Sequence, residues 1–349
     1  MMDDLAPATQ GERRLAAYLA ARPALLGELG HADGWRLRFL AQGEYSLNYL
    51  LECEGARHIC RLVTASQMDM ALDTQTRYEY AALGLLAPSG VTPRPFFCDA
   101  TLGELPHGLI VEQFLPGRPL DYRLDLTGAA EAVAAYHNLP VATDAPLFRP
   151  QRLLEAIYAE SLGFIAAFRA APGRLAPLAP LFDAAFAKAL AALPNEAVFQ
   201  QGNPPVYVNY DLNPFNFIVD APEGAPGRVS VIDWEKARVS APAQDLAHFL
   251  VITTTLWKQS RAHLLSADEE ALFFSTYCRA RPNVDAELLH RQVDLMRFFI
   301  YLRALAWCAM AWVEYQRPGR AIRNPDTFAK IEEYLQEDVL RRVYSLDAA

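Results

Sequence analysis

Asn209-Tyr-Asp-Leu-Asn-Pro-Phe-Asn216, followed by Ile232-Asp-Trp-Glu235, places Asp211 and Asn216 five positions apart and closes the group with Asp233. Val206-Tyr-Val208 and Phe217-Ile-Val219 are short β-branched and aromatic runs, and Arg228-Val-Ser-Val-Ile232 alternates. The segment therefore reads strand, loop, strand, turn, strand. Asp211 and Asn216 fall on a loop at strand ends, and Asp233 ends a neighbouring strand, so the three can converge. Asp and Asn populate turns for conformational reasons alone, and Asp-x4-Asn by itself says little. Joined to an apolar strand ending Asp-Trp-Glu, it supplies what metal-assisted phosphoryl transfer needs. One carboxylate orients an acceptor hydroxyl and receives its proton, and a carboxylate plus an amide oxygen hold magnesium against a triphosphate.

Through these motifs the chain resembles the aminoglycoside phosphotransferase and choline kinase family, whose usual form is His-x-Asp-x4-Asn and then an apolar strand ending Asp-Trp-Glu. The resemblance implies an α+β, bilobal protein-kinase-like fold with a small antiparallel-sheet N-lobe and a mainly helical C-lobe. It implies ATP as donor, Asp211 as the catalytic aspartate, and Asn216 and Asp233 as Mg2+ ligands. The family usually has His where this chain has Asn209, a residue thought to brace the loop. Asn can donate a hydrogen bond there but cannot titrate, so the departure bears on loop rigidity more than on chemistry.

Upstream, Trp35-Arg-Leu-Arg-Phe-Leu40, Tyr45-Ser-Leu-Asn-Tyr-Leu-Leu51 and Arg57-His-Ile-Cys-Arg-Leu-Val63 predict three strands of a small antiparallel sheet. Ala41-Gln-Gly-Glu-Tyr-Ser46 lies between the first two, where a kinase has its phosphate-covering loop. With Gly43 as its one glycine, it reads locally as a hairpin turn. The family often carries such a glycine-poor loop with a Ser, here Ser46, and its backbone N–H groups could still face phosphate oxygens. Arg61 takes the position of the lysine that grips the α and β phosphates in protein kinases, and its planar fork suits that task. The resemblance pairs it with Glu79 in the helical segment Asp73 to Leu86. Thr76-Arg-Tyr-Glu79 also fits a helix capping box, in which Glu79 reaches back to a backbone amide. Gly108-Leu-Ile-Val-Glu-Gln-Phe-Leu-Pro-Gly-Arg-Pro119 is an apolar strand running into a Pro/Gly break. In a kinase this is the hinge, with the adenine ring bonded to backbone atoms near Glu112 to Phe114. The expected division is residues 1–115, with a leading helix 11–29, and residues 116–349.

The remainder predicts helices at Thr127–Asn138, Gln151–Arg169, Leu181–Leu193, Pro242–Lys258, Ala267–Arg279, Asp285–Gln316 and Pro325–Tyr344. His137 and His248 lie inside such helices and read as packing residues, since neither has a Cys or second His at metal-ligand spacing. Asp245 follows Pro242 in a helix's first turn, where an acid suits the macrodipole; the resemblance gives it the task of supporting the catalytic loop. Only eleven residues separate Asp233 from Asp245, too few for the activation segment with which a protein kinase binds a polypeptide.

At 349 residues and 52% apolar content the chain can bury a core for two lobes. A net charge of −9 argues against nucleic acid or anionic membranes as partners and would suit a cationic substrate. Cys53, Cys60, Cys98, Cys278 and Cys308 are odd in number and scattered, which reads as reduced thiols of a cytoplasmic protein. The acidic Met-Met-Asp-Asp start and the charges of residues 12–22 exclude a signal peptide. Phe298–Val313, the most apolar stretch, is too short for a membrane span and contains Arg303. The expectation is an ATP-dependent kinase of a small-molecule hydroxyl, such as an aminoglycoside, amino alcohol or sugar, with substrate choice in the C-lobe helices, including the insert Gln151 to Leu193. The alternative is a nucleotide-binding pseudokinase acting as a scaffold, suggested by Asn209, Arg61 and the single loop glycine.

Overall fold

Alternation in the first strands becomes a five-stranded antiparallel sheet in the computed structural model, which describes residues 7–317 and 324–346. Its strands are β1 (Arg36–Gln42), β2 (Ser46–Cys53), β3 (Ala56–Val63), β4 (Pro95–Asp99) and β5 (Gly108–Gln113), in the order β1-β2-β3-β5-β4. Exposed Arg36 and Arg38 charge the β1 edge, which discourages pairing with another chain. Two helices precede the sheet, α1 (Pro7–Ala20) and α2 (Pro23–Glu28). The expected single helix 11–29 is broken at Arg22, because Pro23 disfavours helical geometry in the residue before it. Leu15, Tyr18 and Leu19 cover the outer sheet face, meeting Leu47, Tyr49, Leu51, Cys60 and Leu62 in a core of their own.

The inner face of the sheet looks the other way. In β3 the side chains of Ile59, Arg61 and Val63 alternate with those of His58, Cys60 and Leu62, and Ile59 pairs with Glu112 of β5. Helix α3 (Leu72–Leu86) packs behind this face. Thr76 sits within its first turns and donates to the Leu72 carbonyl at 2.6 Å, so the capping-box reading of Thr76 and Glu79 fails. The helix begins at Leu72, and Glu79 is left free to turn toward the sheet.

The chain then forms β6 (Arg118–Pro119), α4 (Tyr122–His137), α5 (Leu153–Ala170), α6 (Ala179–Ala192), β7 (Val206–Val208), β8 (Phe217–Asp220), β9 (Arg228–Val231), β10 (Arg238–Ser240), α7 (Ala243–Leu250), α8 (Ile252–Thr255), α9 (Ala267–Ala280), α10 (Ala286–Gln316), α11 (Pro325–Tyr334) and α12 (Glu337–Tyr344). β6-β8-β9 form one small sheet and β7-β10 another. At the Pro116-Gly117 break, Gly117 has φ +143, and a Cβ there would stand 2.3 Å from the Val219 carbonyl oxygen. Only glycine lets the chain approach β8 that closely. The expected helix over 242–258 ends at Leu250 and is followed by the short α8, and the one over 325–344 divides into α11 and α12. Helix α10 is 31 residues long, so it and Gly173–Phe199 are long and apolar enough to cross a membrane by length and composition. The length argument against a span therefore fails. What describes α10 instead is its packing against α5 and α7, with 67% of its most apolar window buried.

Candidate active site

Register brings the three motif residues together. Phe217 pairs with Val231, so Asn216 and Ile232 face each other at one end of β8-β9, and the Ile232 N–H donates to the Asn216 carbonyl at 2.8 Å. Asp233 is the next residue, with φ +64, and Tyr210, just before Asp211, has φ +68. Left-handed backbone in residues other than glycine is costly and persists where surrounding structure enforces it. Asn209 does part of that enforcing. Its Nδ2 donates to the carbonyls of Asp233 at 2.9 Å and Ile232 at 3.3 Å, while its Oδ1 accepts from the Asp211 N–H at 3.0 Å. An amide therefore ties the two loops together where the family usually has His.

Beneath the loop, the buried Asp245 carboxylate accepts from the N–H groups of Asn209 (2.9 Å) and Tyr210 (2.8 Å), from the Tyr136 hydroxyl (2.6 Å), and contacts His137 Nε2 at 3.3 Å. Burial works to raise its pKa, but these bonds hold the carboxyl below its ordinary value. Its position supports the loop's backbone, as the resemblance implies. His137 is a packing residue against Asp245 and Tyr277. His248 is not only that: its Nδ1 accepts from the Leu212 N–H at 3.2 Å and the side chain lines the cleft. Burial lowers His248 to about 4, so the ring is neutral near pH 7, with Nδ1 as acceptor.

The cleft between the five-stranded sheet and the helices is a cavity of about 570 Å³. Asp211, Asn216, Asp233, Arg61, Gly43, Ser46, Glu112 and Phe114 all line it; Glu79 does not. Glu79 is buried behind Arg61, with Oε1 2.7 Å from Arg61 Nε. It positions the guanidinium and has no face toward a ligand. Arg61 Nη2 also reaches Asp233 (2.8 Å) and Glu235 (3.0 Å). Burial would lower the guanidinium's pKa, but Glu79, Asp233 and Glu235 hold it above its ordinary range. The carboxyls show the converse. Burial pushes Glu79 to about 7 and Glu235 to about 8. Gly43 and Ser46 form the tight turn joining β1 to β2, with the Gly43 N–H donating to the Ser46 carbonyl at 2.9 Å. It is a hairpin turn by geometry that also roofs the cleft.

Three contributors escaped the sequence reading. Lys236, directly after the Asp-Trp-Glu run, forms an ion pair with Asp211 Oδ2. Burial would raise the pKa of Asp211, yet the Lys236 cation holds that carboxyl well below the usual carboxylate range. Glu112 was expected to matter through its backbone, but its side chain shares the inner face with Ile59 and Arg61, and burial raises it to about 7. The third is an aromatic wall of Trp257, Trp307 and Tyr334. A lysine adjoining Asp-Trp-Glu was the signal for the first, and strand alternation for the second. Nothing local announces the wall, which comes from three separate elements.

Asn216 and Asp233 suit a hard cation. Asn216 Nδ2 donates to the Asp211 carbonyl at 2.8 Å, which turns Oδ1, the donor oxygen, away from that bond. Among the described residues no group of three His, Cys, Asp or Glu side chains is arranged to hold a metal. Magnesium, however, is commonly held by one or two protein oxygens plus substrate phosphates.

The sequence model of the phosphotransferase enzyme family matches residues 36–282. A search of curated protein sequences found no significant match. Among solved structures the chain is similar to an ethanolamine kinase from Plasmodium vivax (14% identity, TM-score 0.61, 98% of each chain covered). It is similar to spectinomycin phosphotransferase in complex with ADP and spectinomycin (12%, 0.58, 94% of this chain and 97% of that one). It is also similar to aminoglycoside 2'-phosphotransferase in complex with GDP (15%, 0.59, 94% and 99%). At these identities the likeness shows the fold, a protein-kinase-like one.

Proposed function

The chain belongs to the phosphotransferase enzyme family, and from that premise we propose that it moves the γ-phosphoryl group of ATP to a hydroxyl of a small molecule. The observation that carries this reading is the convergence of Asp211, Asn216 and Asp233 in one cleft with the Gly43–Ser46 turn and with Arg61, whose Nη2 reaches Asp233 at 2.8 Å. Residues up to Leu115 then supply most of the nucleotide's surroundings, with the base beside Glu112 to Phe114, and the rest supply the transfer machinery and the acceptor's surroundings. Only eleven residues link Asp233 to Asp245, which disfavours a polypeptide acceptor.

Arg61, with its orientation fixed by Glu79, holds phosphate oxygens by its planar fork. Asp211 aligns the acceptor hydroxyl. As the hydroxyl oxygen bonds to the γ-phosphorus, the bridging P–O bond breaks, ADP leaves with that electron pair, and the hydroxyl proton passes to Asp211 and then to water. Lys236 depresses the basicity of Asp211, so the carboxylate acts by orientation first and takes the proton late. A magnesium ion, when bound by Asn216 and Asp233, supplies charge neutralisation at the β and γ oxygens.

Of the three departures behind the scaffold alternative, Asn209 still braces the loop, through three hydrogen bonds. Purified protein is expected to hydrolyse ATP slowly with magnesium, and Asp211→Ala to abolish this. Nucleotide binding with no hydrolysis, and no phosphoryl mass gain across a panel of hydroxyl compounds, would favour the scaffold. Asp233→Asn should cut turnover by at least ~10²-fold through lost electrostatic stabilisation; wild-type turnover would remove Asp233 from the site.

A further inference from the structure

The net charge of −9 suggests a cationic acceptor, but the charge inside the cleft is distributed otherwise. Glu112, Asp233 and Glu235 lie on the side of Arg61. Elsewhere in the cleft Asp211 is taken up by Lys236, and Glu44 accepts the Tyr315 hydroxyl at 3.2 Å. The cations there are Arg303, paired with Glu160 at 2.9 Å, and Lys258, which lines the cleft with no carboxylate partner among the described residues. Lys258 Nζ lies 5.6 Å from the ring centroid of Phe215, an exposed side chain at the cleft beside the Asp211 loop.

The wall beside these cations is aromatic, with the Trp257 and Trp307 rings meeting edge to face at 66°. Trp257 meets Trp307 at 5.8 Å between ring centroids and Tyr334 at 6.0 Å, and Trp307 Nε1 is committed to the Tyr45 hydroxyl at 3.2 Å. With that N–H occupied, the indole offers the cavity its carbon surface. The buried Thr253 hydroxyl also lines the cleft and has no hydrogen-bond partner. An ammonium with no carboxylate partner among the described residues, beside aromatic faces, is complementary to an anion on an apolar body. A polyamine or quaternary ammonium compound would find its aromatic faces here, but beside the Lys258 ammonium.

We propose that the acceptor is a hydroxylated compound with an apolar carbon face and a carboxylate or similar anion, the face packed in the angle between Trp257 and Trp307 and the anion on Lys258. This rests on the phosphotransferase reading for the transfer itself, and binding can be measured apart from it. Quenching of tryptophan fluorescence is to be titrated with 3-(4-hydroxyphenyl)propionate, its methyl ester, choline and kanamycin, with Trp257→Phe and Trp307→Phe assigning the signal. The acid is expected to bind at least tenfold more tightly than its ester, and choline and kanamycin to leave the signal unchanged. Lys258→Met should erase the preference for acid over ester, and Lys258→Arg should keep it, which excludes a folding defect at that position as the cause. No binding of the acid, tighter binding of choline or kanamycin, or a preference that survives in Lys258→Met would overturn the proposal. Failure of the phosphotransferase reading would show separately, as absent magnesium-dependent ATP hydrolysis in wild-type protein.

Discussion

Arg61 and Asp245 do their work without being the reacting groups, and each is a test of how the site is held. Removing one partner of a buried ion pair costs about 3–5 kcal/mol because the other charge is stranded. Arg61 has three carboxylate partners, but Glu79 and Glu235 already titrate near 7 and 8. They can take up protons when the guanidinium is gone, so the cost should fall at the low end of that range. Arg61→Ala should thus lower both the melting temperature and the apparent affinity for ATP, while Arg57→Ala, exposed on the same strand, should change neither. Equal effects in thermal denaturation and nucleotide titration would mean that the carboxylate cluster does not depend on Arg61. Asp245→Ala strands two loop N–H groups and the Tyr136 hydroxyl. At about 1–3 kcal/mol for each buried unpaired group, it should cost more than Arg61→Ala. It should also slow turnover, although Asp245 does not line the cleft.

Elements whose signal is local were legible in the sequence, and those set by distant contacts were not. β2, β3 and α9 carry their own periodicity, and α9 a Ser266 capping box. The short strands β4 and β10 carry none, since each exists by pairing with β5 or β7. The convergence of Asp211, Asn216 and Asp233 was readable because strand ends are close in sequence. Lys258 meeting Phe215, or Tyr45 meeting Trp307 across 262 positions, was not. Another such meeting joins the segment after α2 to β3: His31 Nε2 and His58 Nδ1 lie 2.9 Å apart, both side chains buried. One proton can be shared between them, and a second would place two cations in contact. Burial, then the neighbouring His31, lowers His58 to about 4, against an ordinary 6.5. Between those values the unfolded chain binds a proton that the folded chain refuses. The contribution is fully present above about pH 6.5, falls as pH drops toward 4, and changes no further below. Stability measured by urea denaturation from pH 8 to pH 4 should show this acid limb, and His58→Leu should flatten it. An unchanged slope in the variant would assign the limb to other groups.

The apolar packing of the whole molecule does not follow the course of the chain. Val63, Tyr78, Ala82, Leu83, Leu86 and Ile110, from the sheet and α3, belong to the same core as Trp234, Phe249 and the inner face of α10. The outer face of the sheet packs separately with α1 and α2. Polar bonds reinforce the first union: Gln75 Nε2 donates to the Glu235 carbonyl at 2.9 Å, the Tyr78 hydroxyl donates to the Ala237 carbonyl, and Arg61 reaches Asp233. Apolar burial is the largest favourable contribution to folding, so a core that spans the cleft's two sides should unfold as one unit. Calorimetry is expected to give one main transition containing both the inner sheet face and the helices. ATP with magnesium should raise its midpoint, since a ligand that binds only the folded state stabilises it by mass action. The outer layer is the exception, because α1 and α2 are held by their own smaller core, by a few bonds such as Tyr18 to Asp99, Tyr49 to the Ala8 carbonyl and Arg22 to Glu104, and by the acid-sensitive histidine pair. Near pH 5 the amides of residues 7–28 should therefore exchange hydrogen faster than those of α10, without loss of the main transition. Two calorimetric transitions of comparable enthalpy at neutral pH, only one of them shifted by nucleotide, would mean that the sheet and the helices fold independently and that the shared core does not couple them.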